Sequence, residues 1–405
     1  MSGPARADGS LYELIDERLE WMAQVAAYKW LHQLPVEDIE RERIVIEASV
    51  ENALKAGIDP ETSTLFFAAQ IDAAKSIQRF WFARYEAGEE PQSTADLSQT
   101  IRPRLLALGE EILSAAVQNS RAGARPDERA FRSKVSVHGL SDPQVSRLFD
   151  SVLGLRVFEN RLQQILGTGR LRVGTTGDYA PFSHSGDGSA SDSETSFSGI
   201  DIDLARDLAN ALGVQVVFVQ TSWPTLEQDL MSGEYDIAMS GVSRTLKRQR
   251  IGFMSTAYYT GGKTPISRCA DAEEYGSLSA IDRPGVRVVV NPGGTNEQFV
   301  DANLSHATKL MHPDNRTIFE QIRTERADVM ITDRIEVELQ TGIHNDLCST
   351  MDENLTYQEK GFLMPQDIEL KTFVDMWLEL RTGDGTLQHL FRERRVPTNR
   401  RPFRP

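Results

Sequence analysis

The hydrophobic period of this chain changes once, and the change divides it. From Leu11 to Leu166 apolar residues recur at helical spacing with hardly a strand signal; from Arg170 (RLRVGT) short β-type runs alternate with helical ones to the end. A multidomain chain is therefore expected, an all-α domain followed by an α/β domain. The length agrees, since 405 residues exceed one ordinary domain. The expected boundaries are a disordered N-terminus over 1–10, a helical domain over 11–166, an α/β domain over 167–397 and a basic tail over 398–405.

In the helical half, one amphipathic run covers Leu11–Leu34 and stops at Pro35. A second ends at Gly57, a third runs from Asp59-Pro60 to about Tyr85, Gly88–Ser93 is a loop and Asp96 opens a fourth. Ser141-Asp142-Pro143 caps the last, expected to reach Leu166. Polar residues recur where a core face is normally apolar. Arg18 and Lys29 are eleven residues apart, three turns to within about 20°, and share a face. Asp38 and Arg41 lie three apart on the second helix, and Gln78 follows Ala74 by one turn on the third. Singly, each fits a solvated helix face; their combination carries the weight.

In the α/β half, strands are expected near 214–219, 235–239, 286–290 and 327–332. Within Thr221–Arg248, Leu226–Met231 is a short helix stopped by Gly233, and the strand Tyr235–Met239 opens into Ser240, Gly241, Ser243, Thr245 and Arg248. Hydroxyls and a guanidinium beyond a strand end suit a small carboxylate. The plainer alternative is a βα loop with one surface Arg. Ser183–Ser198 reads as a Ser/Gly/Asp-rich loop, and PTNRRPFRP after Val396 as a disordered tail.

A net charge of −15 argues against a general nucleic-acid surface and means that an anionic substrate must be met by locally placed Arg and Lys. No window holds the ~18 apolar residues of a membrane span. The N-terminal residues lack the apolar core of a signal peptide, which fits either a cytoplasmic protein or one whose leader has been removed. Cys269 and Cys348 have no CxxC spacing, and His is scarce, so no metal is expected. One disulfide and two buried thiols both remain open.

The segment Lys29–Glu42, KWLHQLPVEDIERE, resembles the all-helical chorismate mutases: a Lys, nine residues to an Asp, then Arg and Glu three and four further on. AAYKWLHQLP, the GIDPE turn at Gly57–Glu61 and QIDAAKSIQ at Gln70–Gln78 resemble the secreted subclass. The resemblance implies that Arg18 and Arg102 hold the two substrate carboxylates, with Arg104 close by on the same helix. Lys29 and Gln78 would donate to the ether oxygen, Arg41 would add positive charge, and Asp38 and Glu42 would engage the ring hydroxyl or orient neighbours. Chorismate to prephenate is a unimolecular rearrangement that needs no nucleophile and no cofactor; a pocket that binds the folded conformer and stabilises charge on the ether oxygen suffices. Gln78 stands where some relatives use Glu and donates without protonation. Ala74 departs from the pattern, standing where a hydroxyl is often found, and this half lacks the cysteines of some secreted relatives.

GTTGDYAPF at Gly174–Phe182, SGIDIDLARDLANALG at Ser198–Gly213 and the stretch around Arg248 resemble the two-lobed periplasmic amino-acid-binding proteins. That implies lobe 1 over about 168–264 and 365–397, lobe 2 over about 265–364, and crossings near Gly262–Ile266 and Gly361–Pro365. Cys269 and Cys348 then share a lobe, which makes a disulfide reasonable. GKTPISRC at Gly262–Cys269, NPGGTNEQF at Asn291–Phe299 and MITDRIEVELQ at Met330–Gln340 are similar to cyclohexadienyl dehydratase, an enzyme on that scaffold. It turns prephenate into phenylpyruvate, and arogenate into phenylalanine. The resemblance implies Glu336 of the TDxxE pattern as the acid that protonates the departing hydroxyl. Ser243 and Arg248 would anchor the side-chain carboxylate, and Asn291, Thr295 and Asn296 would take a second anionic or polar group. Lys263, Trp223, Asp178 and Asp333 would line the remainder.

The first half would then make prephenate and the second consume it, in a periplasmic or secreted enzyme of phenylalanine biosynthesis. Both parent families commonly associate, so a homo-oligomer is one expectation. The rival readings are an amino-acid receptor fused to a helical module, and an active mutase whose second half only binds prephenate.

Overall fold

In this computed structural model, residues 8–91, 95–186 and 197–394 are described; most of the expected disordered N-terminus and the basic tail lie outside them. Two compact units divide at Thr168–Gly169.

The first unit is helical. Its elements are α1 (Asp8–Leu31), α2 (Ile39–Lys55), α3 (Pro60–Glu86), α4 (Arg102–Arg121), α5 (Glu128–Lys134), α6 (Asp142–Leu153) and α7 (Arg161–Thr168), with a π-turn at Leu97–Ile101 leading into α4. α1 packs on both α3 and α4, in a core that includes Leu19, Phe66, Ile77 and Ile112. Asp38 and Asp59 accept backbone N–H groups at the starts of α2 and α3, satisfying donors that a helix leaves free. α1 begins at Asp8, three residues before the expected start. The single last helix expected from Ser141 to Leu166 is instead two. Residues 156–158 leave the helical path to pair with backbone at 57–59: Ile58 bridges Val157, Asp59 N–H donates to the Arg156 carbonyl at 2.9 Å, and Phe158 N–H donates to Gly57 at 2.9 Å. That tertiary pairing outweighs the continuous helical period.

The second unit is α/β with two main sheets. In chain order its first part comprises β1 (Arg170–Thr175), β2 (Asp178–Tyr179), β3 (Ser183–Ser185), β4 (Phe197–Ser198), α8 (Ile200–Leu212), β5 (Gln215–Gln220), α9 (Leu226–Met231), β6 (Ile237–Ala238), α10 (Leu246–Ile251), β7 (Phe253–Met254) and β8 (Tyr259–Gly261). There follow β9 (Lys263–Arg268), α11 (Leu278–Ile281), β10 (Arg287–Val290), α12 (Thr295–Asn303), β11 (Thr308–Met311), α13 (Ile318–Arg323), β12 (Val329–Asp333), α14 (Arg334–Ile343) and β13 (Leu347–Ser349). The chain then returns through β14 (Gln358–Lys360), β15 (Leu363–Met364), α15 (Ile368–Gly383) and α16 (Thr386–Glu393).

The first sheet has the order β5-β1-β6-β15-β7 and the second β11-β10-β12-β9-β13. In each, three consecutive strands are parallel, from βα crossovers, and one strand next to the far edge runs antiparallel to both its neighbours: β15 between β6 and β7, and β9 between β12 and β13. The two lobes are joined where β8 and β14 pair antiparallel, Tyr259–Gly261 against Gln358–Lys360. These crossings fall just before the expected segments: Lys263–Arg268 is already a strand of lobe 2, and Leu363–Met364 one of lobe 1. The ends of the Ser/Gly/Asp-rich stretch are strands, His184 pairing with Ser198; residues 187–196 of it lie outside the described residues. Cys269 and Cys348 form a disulfide within lobe 2. Among the described residues no helix is long and apolar enough to cross a membrane.

Candidate functional sites

In the helical unit, α1, α2, α3 and the start of α4 enclose a cavity of about 190 Å³. Every polar residue singled out in this half lines it: Arg18 and Lys29 from α1, Asp38, Arg41 and Glu42 at the start of α2, Gln78 from α3 and Arg102 from α4. Arg104, two residues and about 200° around the helix from Arg102, turns away instead to Glu17 and Glu111 at 2.6 and 2.7 Å. Arg18 is buried, and burial alone lowers its pKa to about 10. Its Nη1 donates to Gln70 Oε1 at 3.1 Å. Lys29 Nζ donates to the Val36 carbonyl at 2.8 Å; burial lowers its pKa against the pull of Asp38 and Glu42.

Asp38 is committed locally, accepting the Arg41 backbone N–H at 3.0 Å as the cap of α2. Glu42 accepts from Lys75 Nζ at 3.0 Å, so Lys75, which lies in the QIDAAKSIQ segment but was given no role there, fixes one wall of the cavity. Gln78 is buried with its Oε1 unpartnered among the described residues, and Val25, Ile71, Ala74 and Leu113 complete an apolar lining. Cations around an apolar hollow suit a compact dianion with a small ring.

In the second unit the lobes close over a cavity of about 30 Å³. Trp223, Ser243, Arg248, Asn291, Thr295, Asn296 and Asp333 line it. Asp178, Lys263 and Glu336 are not in the lining: Asp178 and Lys263 bond to residues that are, and Glu336 is linked to it through Thr332 and Asn296. Arg248 sits on α10, whose cap Thr245 accepts the Arg248 N–H at 3.1 Å. Its Nη1 donates to the Ser243 carbonyl at 2.9 Å and its Nε lies 3.5 Å from Glu227. Trp223 Nε1 donates to Asp178 Oδ1 at 3.0 Å, and burial raises the Asp178 pKa.

Asp333 ends β12 and is the hub of the cleft. Lys263 Nζ lies 3.2 Å from its Oδ1, Lys360 Nζ 2.5 Å from its Oδ2, and the Tyr179 hydroxyl donates to Oδ2. Burial works against ionisation, yet the two ammonium charges hold the Asp333 carboxyl below the usual carboxylate range. Lys263 also donates to Thr295 Oγ1 at 3.2 Å and to Asn296 Oδ1, and burial lowers its pKa. Glu336, in the first turn of α14, behaves oppositely: burial raises its pKa from 4.5 to about 8, the Thr332 hydroxyl bond opposing and the Asp333 charge adding.

Tyr179, Asn315 and Lys360 line the cavity and were not singled out from sequence. Asn315 Nδ2 donates across the cleft to the Asp178 carbonyl at 2.9 Å. Lys360 donates to Ser243 Oγ at 3.0 Å and lies 5.0 Å above the Tyr179 ring, so one residue on a crossing strand touches both lobes. Tyr179 stood inside the GTTGDYAPF segment, but a lone Lys in YQEKGF carries no spacing signal.

A two-lobed α/β unit with paired crossing strands is the architecture of a solute-binding protein, here with an acid held protonated near neutrality beside the cleft. Residues 171–393 match the bacterial extracellular solute-binding proteins of family 3, and residues 5–79 match chorismate mutase type II. The cyclohexadienyl dehydratase of Pseudomonas aeruginosa is 46% identical over 235 residues, covering 58% of this chain and 85% of that protein. The monofunctional chorismate mutase of Enterobacter agglomerans is 34% identical over 151 residues, 36% of this chain and 81% of that protein. Among solved structures, an ancestral amino-acid-binding protein described as a precursor of cyclohexadienyl dehydratase aligns with a TM-score of 0.53 at 33% identity, over 57% of this chain and 98% of that one. The chain belongs to the family 3 extracellular solute-binding proteins, within them to the cyclohexadienyl dehydratases, and through its first unit to the chorismate mutases.

Proposed function

We infer that the chain is a bifunctional enzyme, a chorismate mutase that makes prephenate joined to a dehydratase that consumes it. The observation that carries the reading is Glu336, a buried carboxyl with its pKa raised to about 8 beside a cleft furnished with Arg248, Ser243 and two lysines. Such a group is an acid at neutral pH and has a proton to give.

In the first unit, Arg18 and Arg102 take the substrate carboxylates and hold chorismate folded. Lys29 and Gln78 donate to the ether oxygen as its bond to the ring breaks, and Arg41 adds positive potential. Asp38 and Glu42 position the loop and Lys75 more than they touch substrate, because both are already engaged.

In the second unit, Arg248 and Ser243 hold the side-chain carboxylate, while Asn291, Thr295 and Asn296 face the other end. Lysine only donates, so Asn296 turns Oδ1 to Lys263 and Nδ2 to Thr332, 3.0 Å away. The Thr332 hydroxyl, accepting from Asn296, gives its own proton to Glu336 Oε2. The acid proton then sits on Oε1. It passes to the ring hydroxyl, which leaves as water; the ring carboxylate departs as carbon dioxide, and its bonding pair completes the aromatic ring. A cavity of about 30 Å³ has room for one or two waters, so substrate enters with the lobes parted and the crossings as hinge.

The receptor reading loses support at Asp333. A receptor needs a free carboxylate for the ligand's ammonium, and here two lysines and a tyrosine occupy it. The protein works outside the cytoplasm, in keeping with its extracellular family and its disulfide. Association into a homo-oligomer is part of the same proposal, and light scattering tests it.

The deciding experiment gives the purified chain chorismate alone and follows prephenate and phenylpyruvate with time. Phenylpyruvate after a transient prephenate pool is the expected result. Prephenate accumulating without phenylpyruvate would confine the enzyme to the helical unit.

A further inference from the structure

Gln70 lies outside the mutase cavity lining, yet it is wholly buried, and its Oε1 accepts Arg18 Nη1 at 3.1 Å. Arg18 itself is 8% exposed, and among the described residues its Nε has no partner and it meets no carboxylate: burial is the influence that lowers its pKa. A buried guanidinium is normally paired with a carboxylate, because an unpaired charge in such a place is costly. Here the partner is a neutral amide, whose Nε2 is also unsatisfied.

We propose that Gln70 is a positioning residue for the mutase, one that aims Arg18 into the cavity while leaving its charge uncompensated for a substrate carboxylate. The proposal rests on the mutase reading of the first unit. Its physical content is a division of labour. The amide fixes the direction of the guanidinium, which has little freedom once Nη1 is bonded, and its neutrality preserves the electrostatic attraction for the dianion. A carboxylate at the same place would supply the same direction and cancel the charge. Stability and substrate affinity therefore pull in opposite directions at residue 70, which is not the case for a residue that only fills space.

The test uses the full chain with Gln70→Glu and Gln70→Met, measuring kcat and KM for chorismate together with thermal denaturation. Gln70→Glu pairs Arg18, so the helical unit should melt no lower than the unsubstituted protein while KM rises at least tenfold, with the smaller part of the loss in kcat. Gln70→Met, close in shape but lacking the acceptor, should melt lower and raise KM by a smaller factor. If Gln70→Glu leaves the helical unit unfolded, Gln70→Met alone decides: an unchanged KM in a folded protein overturns the proposal. So does a Gln70→Glu protein that folds and binds chorismate normally. The unsubstituted chain separates the two readings. If it does not convert chorismate at all, the mutase reading has failed; if it does and both variants keep its KM, only the role of Gln70 has failed.

Discussion

Replacing Glu336 should move activity and stability in opposite directions. Its carboxyl stays protonated up to about pH 8, so dehydration should hold its rate through neutral pH and fall above about 8. Glu336→Gln should cost roughly 10²–10⁴-fold in dehydration and leave chorismate conversion untouched, which a coupled assay on one sample measures. For stability, the unfolded chain releases this proton near 4.5 while the folded one keeps it to about 8. The contribution of the neutral form is complete below 4.5 and is lost as pH rises to about 8. Gln cannot ionise, so Glu336→Gln should melt increasingly above the unsubstituted protein between pH 5 and 8; a pH-independent gap would contradict the raised pKa. At this scale the sequence was informative where a residue sits in a patterned segment, as Glu336 does in TDxxE. Lys360 was illegible for a physical reason: its partners Ser243 and Asp333 lie 117 and 27 residues away, and only the tertiary fold, which bridges Ser243 to Lys360 through the backbone, brings them together.

Among the elements, the turn into α12 is where closure is most exposed to a small change. Gly293 has φ of +78°, and a Cβ there would lie 2.7 Å from the Pro224 nitrogen of the opposite lobe. Backbone on both sides leaves nothing flexible to yield. Gly293→Ala should therefore disfavour the closed form, raising KM for prephenate and lowering kcat by about tenfold or more, with mutase kinetics unchanged. Equal kinetics in the variant would show that the lobes react without closing this far. The crossings β8 and β14 pair with each other, and their expected place came from the family resemblance, since no local period marks a crossing. The division between α6 and α7 was not readable. It depends on residues 156–158 pairing with 57–59, a contact some hundred residues distant that no local period reports.

For the whole molecule, two units with separate cores imply two activities that can be lost separately. The disulfide joins residues 79 apart in lobe 2 and has no counterpart among the described residues of the helical unit. Closing a loop of that length restricts the unfolded chain and is worth about 2–5 kcal/mol, all of it to the dehydratase. Reduction, or replacement of Cys269 and Cys348 together by Ser, should lower the melting temperature of the second unit and leave that of the first in place. The consequence is kinetic as well as thermal. Warmed with chorismate between the two melting points, the reduced protein should accumulate prephenate, whereas the oxidised protein carries it on to phenylpyruvate. Simultaneous loss of both activities on reduction would mean that the units unfold as one, and the separate-core reading would have to be abandoned. Separate loss would also tie the complete sequence of reactions to an oxidising compartment, since only there is the second step held at full stability.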